Sequence, residues 1–99
     1  MKNGFTSEQA NFLVLEVKKY FPEAEIIVFG SRLNGNFTET SDLDICLKSE
    51  KPLELSSWAK LESNVAQSDL PFKVDFVDWM RITSDFQKII SKKMIRLER

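Results

Sequence analysis

The 99-residue chain contains no histidine. Imidazole is the commonest acid–base group near neutral pH and a frequent metal ligand, so any chemistry here must run on carboxylates, hydroxyls, lysine or a hard metal ion. A single cysteine, Cys46, excludes an internal disulfide and a cysteine-rich zinc site. Fifteen acidic residues nearly cancel fourteen basic ones, for a net charge of −1; without an overall basic field, nucleic acid is disfavoured as a partner. No apolar run approaches the roughly 20 residues of a membrane span, and the opening MKNGFTSEQANF carries no apolar leader. The expectation is a cytoplasmic protein with no membrane partner.

What is present is a globular balance, 42% hydrophobic and 29% charged, without the low hydrophobicity and high net charge of disorder. Ninety-nine residues suit one domain, 1–99, with no room for a second domain to present an acceptor.

Apolar residues recur at helical spacing from Thr6 to about Phe21, where Thr6 and Gln9 have capping-box spacing and Pro22 stops the helix. EIIVF at 25–29 is a short apolar run ended by Gly30, and reads as a buried strand. A turn-rich stretch from Ser31 to Thr40 separates it from a second strand, DLDICL at 42–47. Residues 52–67 read as a helix opening with Pro52, with Leu55, Trp58, Ala59, Leu61, Val65 and Ala66 on roughly one side, and 72–78 as a third strand. Ser84 and Gln87 suggest a further capping box, with Phe86, Ile89, Ile90, Met94 and Leu97 on one face of a terminal helix. Its basic outer side would carry Lys88, Lys92, Lys93, Arg96 and Arg99. This order predicts an α/β (α+β) fold, a small mixed sheet with helices packed against it.

Two aspartates one residue apart inside an apolar strand need an explanation, since aspartate is depleted from strands. Positions i and i+2 share a face, so Asp42 and Asp44 would project together while Leu43 and Ile45 enter the core. Carboxylates that close repel one another unless a cation lies between them. An all-oxygen site suits Mg²⁺, with Mn²⁺ as the alternative. A lone Asp-x-Asp is commonly a solvated strand edge, but here Gly30 and Ser31 stand between the two strands. Glycine permits close backbone approach to a phosphate, and the serine adds a donor. Asp75, mid-strand in KVDFVDW, is either a third ligand brought alongside by a neighbouring strand or a salt-bridge partner for a lysine. Asp78 points the other way and reads as the structural end of its strand. Arg32 would either reach triphosphate oxygens or be solvated, and Cys46 reads as core packing.

Gly-Ser, ten residues, then Asp-Leu-Asp, with the later VDFVD, resembles the nucleotidyltransferase superfamily that includes DNA polymerase β, and in particular its minimal single-domain members. The resemblance spans nearly the whole chain and implies a polymerase β palm-like nucleotidyltransferase fold. It also implies that Gly30 and Ser31 hold nucleotide phosphates, that Asp42, Asp44 and Asp75 bind Mg²⁺, and that Asp75 helps deprotonate the acceptor hydroxyl. ATP would be the nucleotide substrate.

Larger members carry an acceptor-presenting domain, which 99 residues do not supply. Minimal members resemble one another in pairing with a small helical HEPN-type protein, in some systems as antitoxins that adenylylate a tyrosine of that partner. Such a pairing is implied here, with Trp58, Phe72 and Trp79 either contacting the partner or buried in the core. Two readings of different class stand: a Mg-dependent enzyme that modifies its partner, and an inactive module that neutralises the partner by binding. Self-association is left open.

Overall fold

The computed structural model describes residues 4–97. Its elements run α1 (Ser7–Tyr20), β1 (Glu25–Phe29), α2 (Ser31–Asn34), β2 (Leu43–Lys48), α3 (Leu55–Ala66), β3 (Val74–Asp78), a 3-10 turn (Trp79–Arg81), α4 (Ser84–Lys92) and β4 (Ile95–Leu97). The four strands form one mixed sheet in the order β3-β2-β1-β4. β1 is antiparallel to both β2 and β4, whereas β2 and β3 are parallel and joined across α3.

The apolar run of β1 has no polar alternation because both of its faces are covered. Ile26 and Val28 meet α1 and α3 on one side of the sheet, together with Leu43, Ile45 and Leu47 of β2, Leu13, Val14 and Val17 of α1, and Leu61 and Val65 of α3. On the other side Ile27 and Phe29 join Cys46 and Ile90 of α4, and Phe86 stands edge-on to Phe29 with ring centroids 5.8 Å apart. Strand alternation therefore decides that Asp44 shares the α4 side with Cys46 while its neighbours Leu43 and Ile45 are fully buried beneath α1 and α3.

Several boundaries differ from expectation for identifiable reasons. The capping box at Thr6 and Gln9 forms on both sides, at 3.0 and 2.8 Å. At α3, Glu54 rather than Pro52 caps the helix, accepting from the backbone N–H groups of Ser56 and Ser57, so the helix starts at Leu55. Leu55 and Ala59, placed by periodicity on the inner side, are exposed, and Leu61 and Val65 carry the contact. Thr83, not Ser84, caps α4, and Gln87 instead donates to the Trp79 carbonyl.

The largest correction is at the end of the chain. α4 stops at Lys92, and Ile95–Leu97 adds a fourth strand to the open edge of β1, with Val28 opposite Ile95 and Ile26 opposite Leu97. Pairing satisfies the edge of β1 and puts Ile95 and Leu97 onto the α1/α3 core, which a continued helix could not do. Arg96 leaves the helical basic face and pairs with Glu25 at 2.8 Å; Arg99 lies outside the described residues.

Of the aromatic residues offered to a partner, Trp58 packs between Phe21 and Phe76, and Trp79 lies beneath the Lys48 ammonium at 4.6 Å. Asp78 does end its strand. It is 4% exposed and accepts from the Leu53 backbone at 2.8 Å, the Met80 backbone at 2.9 Å and Arg81 Nε at 3.1 Å. This one carboxylate ties the loop before α3 to the end of β3. Replacing it strands a buried N–H and frees Arg81, so Asp78→Ala should cost about 3 kcal/mol. Denaturant unfolding at neutral pH checks this; a loss below about 1 kcal/mol would contradict the role.

Candidate active site

Because β1 is antiparallel to β2, and β3 is parallel to β2, the C-terminal end of β1 lies at the same end of the sheet as the beginnings of both. The register puts Phe29 opposite Asp44, and Asp44 opposite Asp75. One transverse row at the end of the sheet thus reads Phe29, Asp44, Asp75, and the next row inward, Ile27, Cys46, Val77, lies against the α4 side chains. The acids occupy the end of that face beyond the packed row. Asp75 and Asp42 are exposed and Asp44 is half-buried. Asp42 is not itself in the sheet, since β2 begins at Leu43.

The chain leaves β1 at Gly30, whose φ of +88° is a conformation that L side chains rarely adopt. Space forbids a side chain as well. A Cβ at Gly30 would run into the Asp44 carboxylate, 2.9 Å from its Cγ. The glycine therefore lets the Asp44 side chain lie directly against the backbone. The Gly30 carbonyl accepts from the N–H groups of Leu33 and Asn34 at 3.1 and 3.2 Å, winding the single turn of α2 on which Ser31 is the first residue. Gly35, at φ +85°, closes that turn.

Burial, and then crowding of like charges, shows in the protonation of Asp44. Its pKa is raised from 3.8 to about 6, first by burial, then by repulsion from Asp75 and from Asp42. A divalent cation among the three carboxylates would remove that penalty, and an oxygen-only donor set fits Mg²⁺ or Mn²⁺. Among the described residues no three acids converge on one cation-sized point.

Arg32 departs from both expectations for it. It is neither solvated nor free to take triphosphate oxygens, being 5% exposed with its guanidinium donating to the carbonyls of Gly4, Thr38, Glu39 and Ser41. The rings of Phe37 and Phe72 lie 5.1 and 4.3 Å from it. Phe72, outside the shortened β3, is thus engaged within the chain. This cluster had no sequence signal, because its members are scattered from position 4 to position 72. Cys46 is fully buried; burial first, and Asp78 next, push its thiol up to about 12, so it is inert packing.

Residues 13–97 match the nucleotidyltransferase domain family. The chain is 33% identical over 92 residues to the probable protein adenylyltransferase MntA of Haemophilus influenzae, covering 93% of this chain and 81% of that protein. It is also 33% identical over 73 residues to a putative protein adenylyltransferase of Methanocaldococcus jannaschii, 74% of each chain. In structure it is similar to a toxin–antitoxin complex with AMP-PNP, at a TM-score of 0.77 and 23% identity over 90% of this chain and 72% of that one. A mutant form of the toxin–antitoxin MntA-HpeT superimposes at a TM-score of 0.76 and 21% identity, with the same coverage. At these identities the structural likeness speaks for the fold.

Two outcomes follow from the geometry. Gly30→Ala must displace Asp44 or strain the backbone, and should cost about 2 kcal/mol, read as a lower Tm. For Asp44 the folded pKa lies above the unfolded one, so its neutral form stabilises the fold fully below about pH 4. That contribution is lost as pH rises from about 4 to about 6 and is absent above. Because the carboxylate is only half-buried, solvent screens part of the effect. Asp44→Asn, assayed in a divalent-free buffer, should gain about 1 kcal/mol at neutral pH and flatten the slope between pH 4 and 6; an unchanged slope would remove Asp44 as its source.

Proposed function

Since the chain belongs to the nucleotidyltransferase domain family and is a nucleotidyltransferase, we propose that it transfers AMP from ATP to a hydroxyl of a partner protein, as the antitoxin of a toxin–antitoxin pair. The partner is a small helical protein of HEPN type, in keeping with the sequence resemblance. Both curated relatives are named as protein adenylyltransferases, probable or putative, and the structural relatives are toxin–antitoxin complexes, one of them with AMP-PNP. No helix among the described residues is long and apolar enough to cross a membrane.

The observation that carries this reading is the row in which Asp44 lies between Asp75 and the Gly30 backbone. Nucleotidyl transfer requires an acceptor hydroxyl in line with the α-phosphate and a site for the leaving pyrophosphate. Asp42, Asp44 and Asp75 would hold Mg²⁺, which supplies neutralisation of charge on the phosphate oxygens. The turn after Gly30 and the hydroxyl of Ser31 bind phosphate oxygens. The acceptor oxygen forms a bond to the α-phosphorus while the bond from that phosphorus to the bridging oxygen of pyrophosphate breaks. Asp75, exposed on the outermost strand, takes the proton of the hydroxyl. None of these roles needs imidazole, which agrees with a chain that has none.

Intact mass spectrometry of the protein encoded beside this one, after co-expression, tests the proposal. An AMP increment with the wild type, abolished by Asp42→Asn together with Asp44→Asn, is the expected result. Equal complex formation by both forms with no added mass would favour neutralisation by binding alone.

A further inference from the structure

Asp42 is the one acid of the three that the sheet does not hold, yet the residues on either side of it are fixed. On its C-terminal side the Leu43 N–H donates to the Lys73 carbonyl at 2.8 Å, tying the start of β2 to the chain entering β3. On its N-terminal side the Ser41 carbonyl accepts from Arg32 Nε at 2.8 Å.

The same guanidinium gathers the rest of the loop end. Nη2 donates to the Thr38 and Glu39 carbonyls at 3.3 and 3.2 Å, and Nη1 donates to the Gly4 carbonyl at 2.7 Å. The loop end is also closed on itself, the Ser41 N–H donating to the Thr38 carbonyl at 3.1 Å and the Thr38 N–H to Ser41 Oγ at 3.0 Å. Among the described residues no carboxylate pairs with Arg32. A buried cation is costly unless it is paired or fully hydrogen-bonded; here four carbonyl dipoles and two aromatic faces stabilise it. Such a cation, set one residue from a candidate ligand, organises backbone.

We propose that Arg32 is a positioning residue for Asp42. By holding the Ser41 carbonyl it sets the direction in which Asp42 leaves the loop, and so the divalent-cation affinity of the site, without touching cation or nucleotide. Asp44 and Asp75 are fixed by strand register and do not depend on it. The inference rests on the reading of Asp42 as a metal ligand.

The test is Mn²⁺ titration of the protein alone, followed by the electron paramagnetic resonance signal of free Mn²⁺. It uses the wild type, Asp42→Asn, Arg32→Gln and the double variant, each shown to be folded by circular dichroism. Arg32→Gln should weaken Mn²⁺ about tenfold, the low end for loss of a group that orients a ligand, and should cost nothing further in the Asp42→Asn background. Wild-type affinity in folded Arg32→Gln, or an equal loss in both backgrounds, would overturn the proposal. If Arg32→Gln does not fold, Arg32→Lys decides: it keeps the charge but loses the planar fork that holds the Ser41, Thr38 and Glu39 carbonyls together, and should weaken Mn²⁺ when Asp42 is present and not when it is replaced; wild-type affinity, or an equal loss in both backgrounds, would overturn the proposal. Equal Mn²⁺ affinity of wild type and Asp42→Asn would instead overturn the metal-site reading, and this inference with it.

Discussion

The acidic end of the sheet depends on the contact between the Gly30 backbone and the Asp44 side chain. Gly30 adopts a conformation that other residues avoid, in a space where a Cβ would strike the Asp44 carboxylate. The pair-wise register of β1 with β2 makes this contact unavoidable, since Phe29, the residue before the glycine, sits opposite Asp44. A one-residue slip would turn Asp44 into the α1/α3 core and Leu43 toward the acids. Fourteen buried residues on that side of the sheet oppose such a slip. The hydrophobic effect thus enforces the placement of a carboxylate that would not choose it.

Enforcement has an electrostatic consequence. Asp44 is held half out of water and beside two other carboxylates, and its pKa rises accordingly. Asp75, its partner in the register, is on the outermost strand and exposed, and the two carboxylates therefore experience different environments although they share a row. The inner one bears the cost of burial and of its two acidic neighbours. The outer one remains open to solvent.

Much of this was legible in the sequence, and the limits of legibility are physical. Asp42 and Asp44 stood out because carboxylates conflict with strand composition, and Gly30 because it ends an apolar run; such conflicts between local preference and position commonly mark sites. Asp78 was separable from Asp75 by strand alternation alone. The terminal strand was missed because Phe86, Ile89, Ile90, Met94 and Leu97 satisfy helical spacing, while the alternation of Ile95, Arg96 and Leu97 is too short to compete with it. Only the vacant edge of β1, a tertiary fact, decides between them. Arg32 was misjudged for a related reason: its partners are backbone carbonyls and two aromatic rings distant in sequence, and carbonyls carry no sequence signature.

The direction of β1 explains why the site lies where it does. In open parallel sheets ligands gather at the C-terminal ends of the strands, whereas here Asp44 and Asp75 are each the second residue of their strands. An antiparallel β1 reverses the usual logic, because its C-terminal turn is delivered to the N-terminal ends of β2 and β3. The turn at Gly30 and the carboxylates then come from opposite chain directions and meet within one row of the sheet. A glycine turn and two strand carboxylates are brought together by a single strand reversal. A wholly parallel arrangement of the same three strands would have put them at opposite ends of the sheet, separated by the length of a strand.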